Sequence, residues 1–207
     1  MVNGWVNLDL VTEFLLFLQG FVFLFAIFDP IGTIPIFYAL TSKLNREGRR
    51  KVIRESILVA FVILIVFAYA GWIFLKFLGV TINDFRIAGG ILLFILAVTD
   101  LMLEQKRFRT ADPDEFAVVP LATPLLAGPG SITTVMIMGT SFGPVITFLV
   151  IVANVTVSWF MFVESEFLLH LLGKNGMRVI TRIMGLIVAA LAVMFIREGI
   201  VGIISQL

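Results

Sequence analysis

The chain has 207 residues, 60% of them hydrophobic and only 14% charged, with a net charge of +1 and no cysteine. Soluble domains are about 25% charged, so this balance excludes an ordinary soluble core and points to a bilayer. Basic residues confined to loops exclude a nucleic-acid-binding stripe, and the lack of cysteine excludes a disulfide framework or thiolate metal site.

Residues 1–10 carry no Lys or Arg, and no small-residue cleavage pattern follows the first apolar run. That run is therefore read as part of the mature protein rather than as a signal peptide. A membrane-crossing helix needs roughly 20 apolar residues. The pattern predicts six, at Val11–Ser42, Ile53–Leu78, Asp84–Leu103, Phe116–Thr140, Pro144–Leu172 and Val179–Ile204. All are joined by short connections. The charged linker 104–115, EQKRFRTADPDE, divides a first three-helix half (1–103) from a second (116–207).

Lys and Arg in short loops set orientation. One side holds Lys43, Arg46, Arg49, Arg50, Lys51, Arg54, Lys106, Arg107, Arg109, Lys174, Arg178 and Arg182; the other holds Lys76, Arg86 and Arg197. This split predicts cytoplasmic basic loops and both termini outside.

Halves of three helices insert with opposite orientation, which predicts an inverted repeat. RIAGGI from Arg86 matches RIMGLI from Arg182 at Arg, Ile, Gly and Ile. The first helix of each half also carries a Gly/Pro cluster: FDPIGTIPIF from Phe28 to Phe37, and TPLLAGPGSITT from Thr123 to Thr134. Proline removes an N–H and glycine is a poor helix former. Pro30, Gly32 and Pro35 are thus expected to unwind the first helix, and Gly128, Pro129 and Gly130 the fourth. Unwound backbone is tolerated only inside protein or beside water. Its freed N–H groups attract anions and its freed carbonyls attract cations. A zwitterion presents both charges.

Asp29 is a carboxylate deep in an apolar segment, a placement costing about 2.5–3.5 kcal/mol on insertion scales. It is read as a substrate-ammonium ligand, a carrier of the coupling proton, or the N-cap of the downstream half-helix. Thr33, Ser131, Thr133 and Thr134 offer hydroxyls to substrate or to freed backbone. Gly32, Gly128 and Gly130 permit close backbone approach, and Pro30, at the first break, is counted with them among the substrate-binding residues. Asn154 either lines the cavity or binds helices together. Asp100, Glu164, Glu166 and the lone His170 lie near helix ends, so interface roles are the simpler reading. One His without Cys is a poor metal set. No phosphate-binding loop, HExxH helix or nucleophile elbow is present, so neither an enzyme nor ATP-driven transport is expected, and no cofactor.

The motifs FDPIGTIPIF and AGPGSITT, on a six-helix chain of this length, resemble the MarC family over essentially the whole sequence. The resemblance implies two inverted three-helix repeats with discontinuous helices 1 and 4. It also implies plasma-membrane transport of glycine, alanine and similar small neutral amino acids. Many relatives carry Asn where this chain has Asp29. A proton is the favoured coupling ion, and sodium held by freed carbonyls is the alternative. A channel, or an efflux protein for other small molecules, is the competing reading.

Overall fold

The computed structural model describes residues 3–42, 44–102 and 126–205. The described residues form helices joined by short turns: α1 (Asn3–Phe28), α2 (Pro30–Thr41), α3 (Arg46–Phe77), α4 (Ile82–Met102), α5 (Pro129–Ser141), α6 (Pro144–Val163) and α7 (Ser165–Ile204). Five stretches are long and apolar enough to cross a membrane: Leu10–Pro35, Arg46–Phe77, Ile82–Thr99, Pro144–Val163 and Asn175–Ile204. They coincide with the first, second, third, fifth and sixth predicted spans. The linker 104–115 and the start of the fourth span, through residue 125, lie outside the described residues. What is described of that span is chiefly α5, whose 13 residues rise about 20 Å, short of a hydrocarbon core of about 30 Å.

Exposed leucines, valines and phenylalanines such as Phe14, Val22, Val62, Phe74 and Leu186 cover the outer faces. Water would penalise such a surface, whereas lipid solvates it. Inside, Leu24, Phe28, Ile34, Phe37, Val135 and Ile151 belong to one buried cluster. A smaller cluster joins Leu93, Ala97, Val188, Ala192 and Phe195 to Ile27 of α1.

The most extensive helix pairing is α4 on α7. Lipid tails are as apolar as leucine, so helices in a bilayer associate through close packing over small residues. Gly202 faces Asn83, Gly199 faces Ile87 and the Asn83 carbonyl, Gly90 faces the Ala192 carbonyl and Ile196, and Gly185 faces Leu101. The partners on α7 recede as α4 advances, so the two helices are antiparallel. α4 starts with reciprocal capping: the Thr81 N–H and hydroxyl donate to Asp84 Oδ2 (2.9 and 2.6 Å), and the Asp84 N–H donates to Thr81 Oγ1 (3.1 Å).

Three predicted boundaries are corrected. α3 begins at Arg46 rather than Ile53, because Asn45 Oδ1 accepts the Gly48 N–H at 2.8 Å and starts the helix in the polar loop. The fifth span ends at Val163, not Leu172. The Ser165 hydroxyl donates to the Phe162 carbonyl (2.7 Å) and terminates the helix there. Apolarity runs on through residues 165–172 because Leu168, Leu169 and Leu172 pack against the core. α7 is itself broken at Gly173, where φ is 63° and ψ 173°, a conformation open to glycine at little cost. The third correction concerns the first Gly/Pro cluster.

Candidate functional site

Only one residue of that cluster leaves helical conformation. Asp29 has φ 41° and ψ 58°, in the left-handed region. Pro30 is the first residue of α2, and Pro35 sits inside it. The expected unwinding from Pro30 to Pro35 therefore contracts to an elbow. Two backbone bonds bracket it, from Asp29 N–H to the Phe25 carbonyl (3.0 Å) and from Thr33 N–H to the Asp29 carbonyl (3.1 Å). The physical reason is positional. At the first position of a helix proline's missing N–H has no intrahelical partner to lose, and its fixed φ suits the helix. Aspartate is among the few side chains that tolerate left-handed backbone.

The carboxylate of Asp29 caps the new helix, with Oδ1 accepting the Gly32 N–H at 3.0 Å. This explains why residue 32 is glycine: a Cβ there would collide with the Asp29 carboxylate itself. Replacing Gly32 by Ala is expected to expel the cap, at a cost of about 1 kcal/mol. Thermal denaturation in detergent checks this. The same change made on an Asp29→Ala background is expected to cost nothing more, since the cap is already gone, and additive losses would refute the assignment.

In the second cluster, Gly128 is extended (φ −77°, ψ 175°) and precedes Pro129 at the first position of α5. Unlike α2, α5 receives no side-chain cap from its N-cap residue. Its first turn is nevertheless interior, with Gly128, Gly130 and Ser131 buried. Gly130 lies against the Leu93 side chain, and Gly89 of α4 faces Thr133 and the Pro129 carbonyl.

The four predicted hydroxyls are buried, and each satisfies a backbone carbonyl. Thr33 donates to Asp29 (2.8 Å), Ser131 to Leu126 (2.9 Å), Thr133 to Pro129 (2.7 Å) and Thr134 to Gly130 (2.7 Å). Donor capacity is thus used locally, and each hydroxyl oxygen keeps lone pairs. Both motifs border one core: Phe28 precedes the first break, Leu126 and Ala127 precede the second, and all three share a buried cluster.

Asn154 occupies a different place. It is fully buried on α6, and its amide nitrogen donates to the Val150 carbonyl (2.9 Å) and, across the helix seam, to the Phe21 carbonyl (3.4 Å). Phe21 is two turns before Asp29, about 12 Å along α1 at helical rise. Asn154 thus ties α6 to α1 rather than joining the residues at the breaks. Its Oδ1 is buried without a hydrogen-bond partner.

A groove of about 260 Å³ lies between α1 and α7, lined by Gln19, Val22, Phe23, Ala26, Ile187 and Leu191. It is open along the helix seam, with Gln19 as its polar lining residue and no charged residue in its lining. No group of three or more His, Cys, Asp or Glu positioned to hold a metal occurs among the described residues.

The sequence placed Arg49 only among the basic loop residues. In the structure it bridges elements from both halves, donating to Ser165 Oγ (2.5 Å) and lying 3.5 Å from Glu166. In a loop with so many basic residues, no local signal singles it out.

The family model described as "MarC family integral membrane protein" matches residues 14–204. The chain belongs to the MarC family. A UPF0056 membrane protein of Methanocaldococcus jannaschii is 36% identical over 200 residues, covering 90% of this chain and 96% of its own. One from Pyrococcus horikoshii is 38% identical, covering 94% of this chain and 98% of its own. The UPF0056 membrane protein YhcE of Escherichia coli is 35% identical over 207 residues, covering 94% and 96%. No solved structure matches. The match embraces both halves, so the two Gly/Pro clusters sit within one family domain of an integral membrane protein.

Proposed function

We propose that this MarC family protein is a secondary transporter of small neutral amino acids of the glycine and alanine type, held between the two broken helices. The observation that carries the reading is the pair of buried half-helix starts. One, at Asp29–Pro30, bears a carboxylate; the other, at Gly128–Pro129, is interior and has a glycine at its N-cap, which offers no capping side chain. A helix N-terminus favours an anion, which suits the substrate carboxylate. Asp29 suits the ammonium. The preference for a small substrate comes from the resemblance to the family; the space beside Gly32 and Gly130 is already filled by the Asp29 carboxylate and the Leu93 side chain.

The six-span inverted repeat belongs to the same proposal. In its favour, α2 packs on α6 and α7 while α5 packs on α3 and α4, the pairing that a swap of halves requires. Against a strict repeat, the matched Gly89 and Gly185 meet different partners, Thr133 and Leu101. The protein sits in the plasma membrane with basic loops cytoplasmic and termini outside, and a proton, with sodium as the alternative, drives symport. No enzymatic chemistry is part of this reading.

Purified protein in liposomes tests it. Glycine entry that saturates and shows counterflow is expected. Ohmic, unsaturable ion current would instead favour a channel. A pH gradient alone, compared with a sodium gradient alone, identifies the coupling ion.

A further inference from the structure

Arg49 stands in the first turn of α3 and is mostly covered, with 18% of its side-chain surface exposed. Its guanidinium lies 5.8 Å from the ring centre of Phe37 and 5.3 Å from that of Tyr38, both on α2. One nitrogen donates to Ser165 Oγ at 2.5 Å, and another lies 3.5 Å from a Glu166 oxygen. Ser165 in turn donates to the Phe162 carbonyl at the end of α6. Phe37 of α2 stacks on Phe162, with ring centres 5.2 Å apart and planes at 23°. One side chain, at the start of α3, thus ties the C-terminal end of α2 to the α6–α7 elbow.

The other end of α2 is the Asp29 elbow, a single left-handed residue. α2, 12 residues long, runs from a one-residue joint at Asp29 to a short turn that leads into α3 at Arg46, so α2 and the start of α3 move together about that joint when the cluster opens. Hinges are a few element-terminal residues that absorb a large backbone change. We propose that Arg49 is a latch, closing α2 against the α6–α7 elbow on the basic face of the protein and thereby sealing the site at the breaks from that face. Arginine suits the task because its planar fork donates to Ser165 and Glu166 while its face lies on the aromatic rings of α2. The latch gives the proposed transporter a gate, and it rests on that reading for its purpose but not for its test.

The chain has no cysteine, so a single reporter can be introduced without background. Ile34 of α2 is fully buried and outside the proposed binding set. In an Ile34→Cys protein, a membrane-impermeant maleimide applied to the basic-loop face of oriented vesicles is expected to react slowly. Adding Arg49→Ala is expected to speed labelling about tenfold, the population change produced by losing a charge-assisted hydrogen bond of about 1.4 kcal/mol. Arg49→Lys, which keeps charge but not the fork, is expected to fall between. Ser165→Ala, which leaves Arg49 its contacts with Glu166, Phe37 and Tyr38, is expected to speed labelling less than Arg49→Ala, and the two together to add nothing beyond Arg49→Ala. If Arg49→Ala does not fold, judged by gel filtration in detergent, Ser165→Ala carries the test alone. Labelling at the parent rate in folded variants, or acceleration only from the opposite face, overturns the latch. Glycine counterflow measured on the parent protein reports separately on the transport reading.

Discussion

On the proposed transport reading, replacing Asp29 by Asn is expected to leave the protein folded and to abolish glycine accumulation driven by a pH gradient, while exchange at equilibrium persists. The two consequences separate because Asp29 fills two positions. As a cap it accepts the Gly32 N–H, and as the elbow it adopts left-handed backbone. Asparagine does both: its amide oxygen accepts at an N-cap and it tolerates the left-handed region. It cannot carry a proton between the faces of the membrane. Alanine does none of these, so Asp29→Ala is expected to lose about 1 kcal/mol from the cap and a further 1 kcal/mol or so from backbone strain. Uptake and counterflow in proteoliposomes, run beside thermal denaturation, distinguish the roles. An Asn variant that accumulates glycine like the parent would remove the coupling role and leave the cap intact.

The largest loss of stability is expected from Gly90→Val. A Cβ at Gly90 would stand 2.8 Å from the Ala192 carbonyl oxygen and 3.1 Å from the Ile196 nitrogen. Both are backbone atoms of α7, so no side chain can turn aside, and the helices must separate. Overpacking typically costs about 1–3 kcal/mol. Because α4–α7 is the most extensive helix pairing, the upper end of that range applies. Gly176→Ala supplies the control. Its Cβ would meet only Leu172, at an ordinary 3.5 Å, and alanine is the better helix former, so stability should hold or rise. Equal melting temperatures for Gly90→Val and the parent would show that the close backbone approach does not contribute.

Several features were legible in the residues alone. A first apolar run from Val11 to Ser42 is too long for one straight crossing, and Asp-Pro within it marks where it gives way; the chain turns at Asp29. The GPG cluster marked the start of α5 at Pro129 in the same way. Such breaks are readable because proline and glycine act on their own backbone. The extent of each break was not readable. Whether Pro30 unwinds a helix or starts one depends on a donor two residues on, the Gly32 N–H, and on the Asp29 carboxylate turned to receive it. The division at Glu164 was equally hidden, since Leu168, Leu169 and Leu172 are as apolar as a crossing helix and only their packing against the core distinguishes them.

Asn154 and Arg49 make the same point about sites. Depth in an apolar segment left Asn154 either lining a cavity or binding helices together, and its amide reaches the Phe21 carbonyl on α1, as the second role requires. Arg49 is one of many cations in a loop, yet its guanidinium lies among Phe37, Tyr38 and Ser165. By itself, the sequence determined that this chain is an integral membrane protein, where five of its apolar runs lie and where the first of them turns. Those properties follow from composition and from backbone chemistry local to each residue. Only the tertiary structure decided which helices approach and which charged side chain reaches from α3 to the α6–α7 elbow, because contacts between residues more than a hundred positions apart leave no local trace.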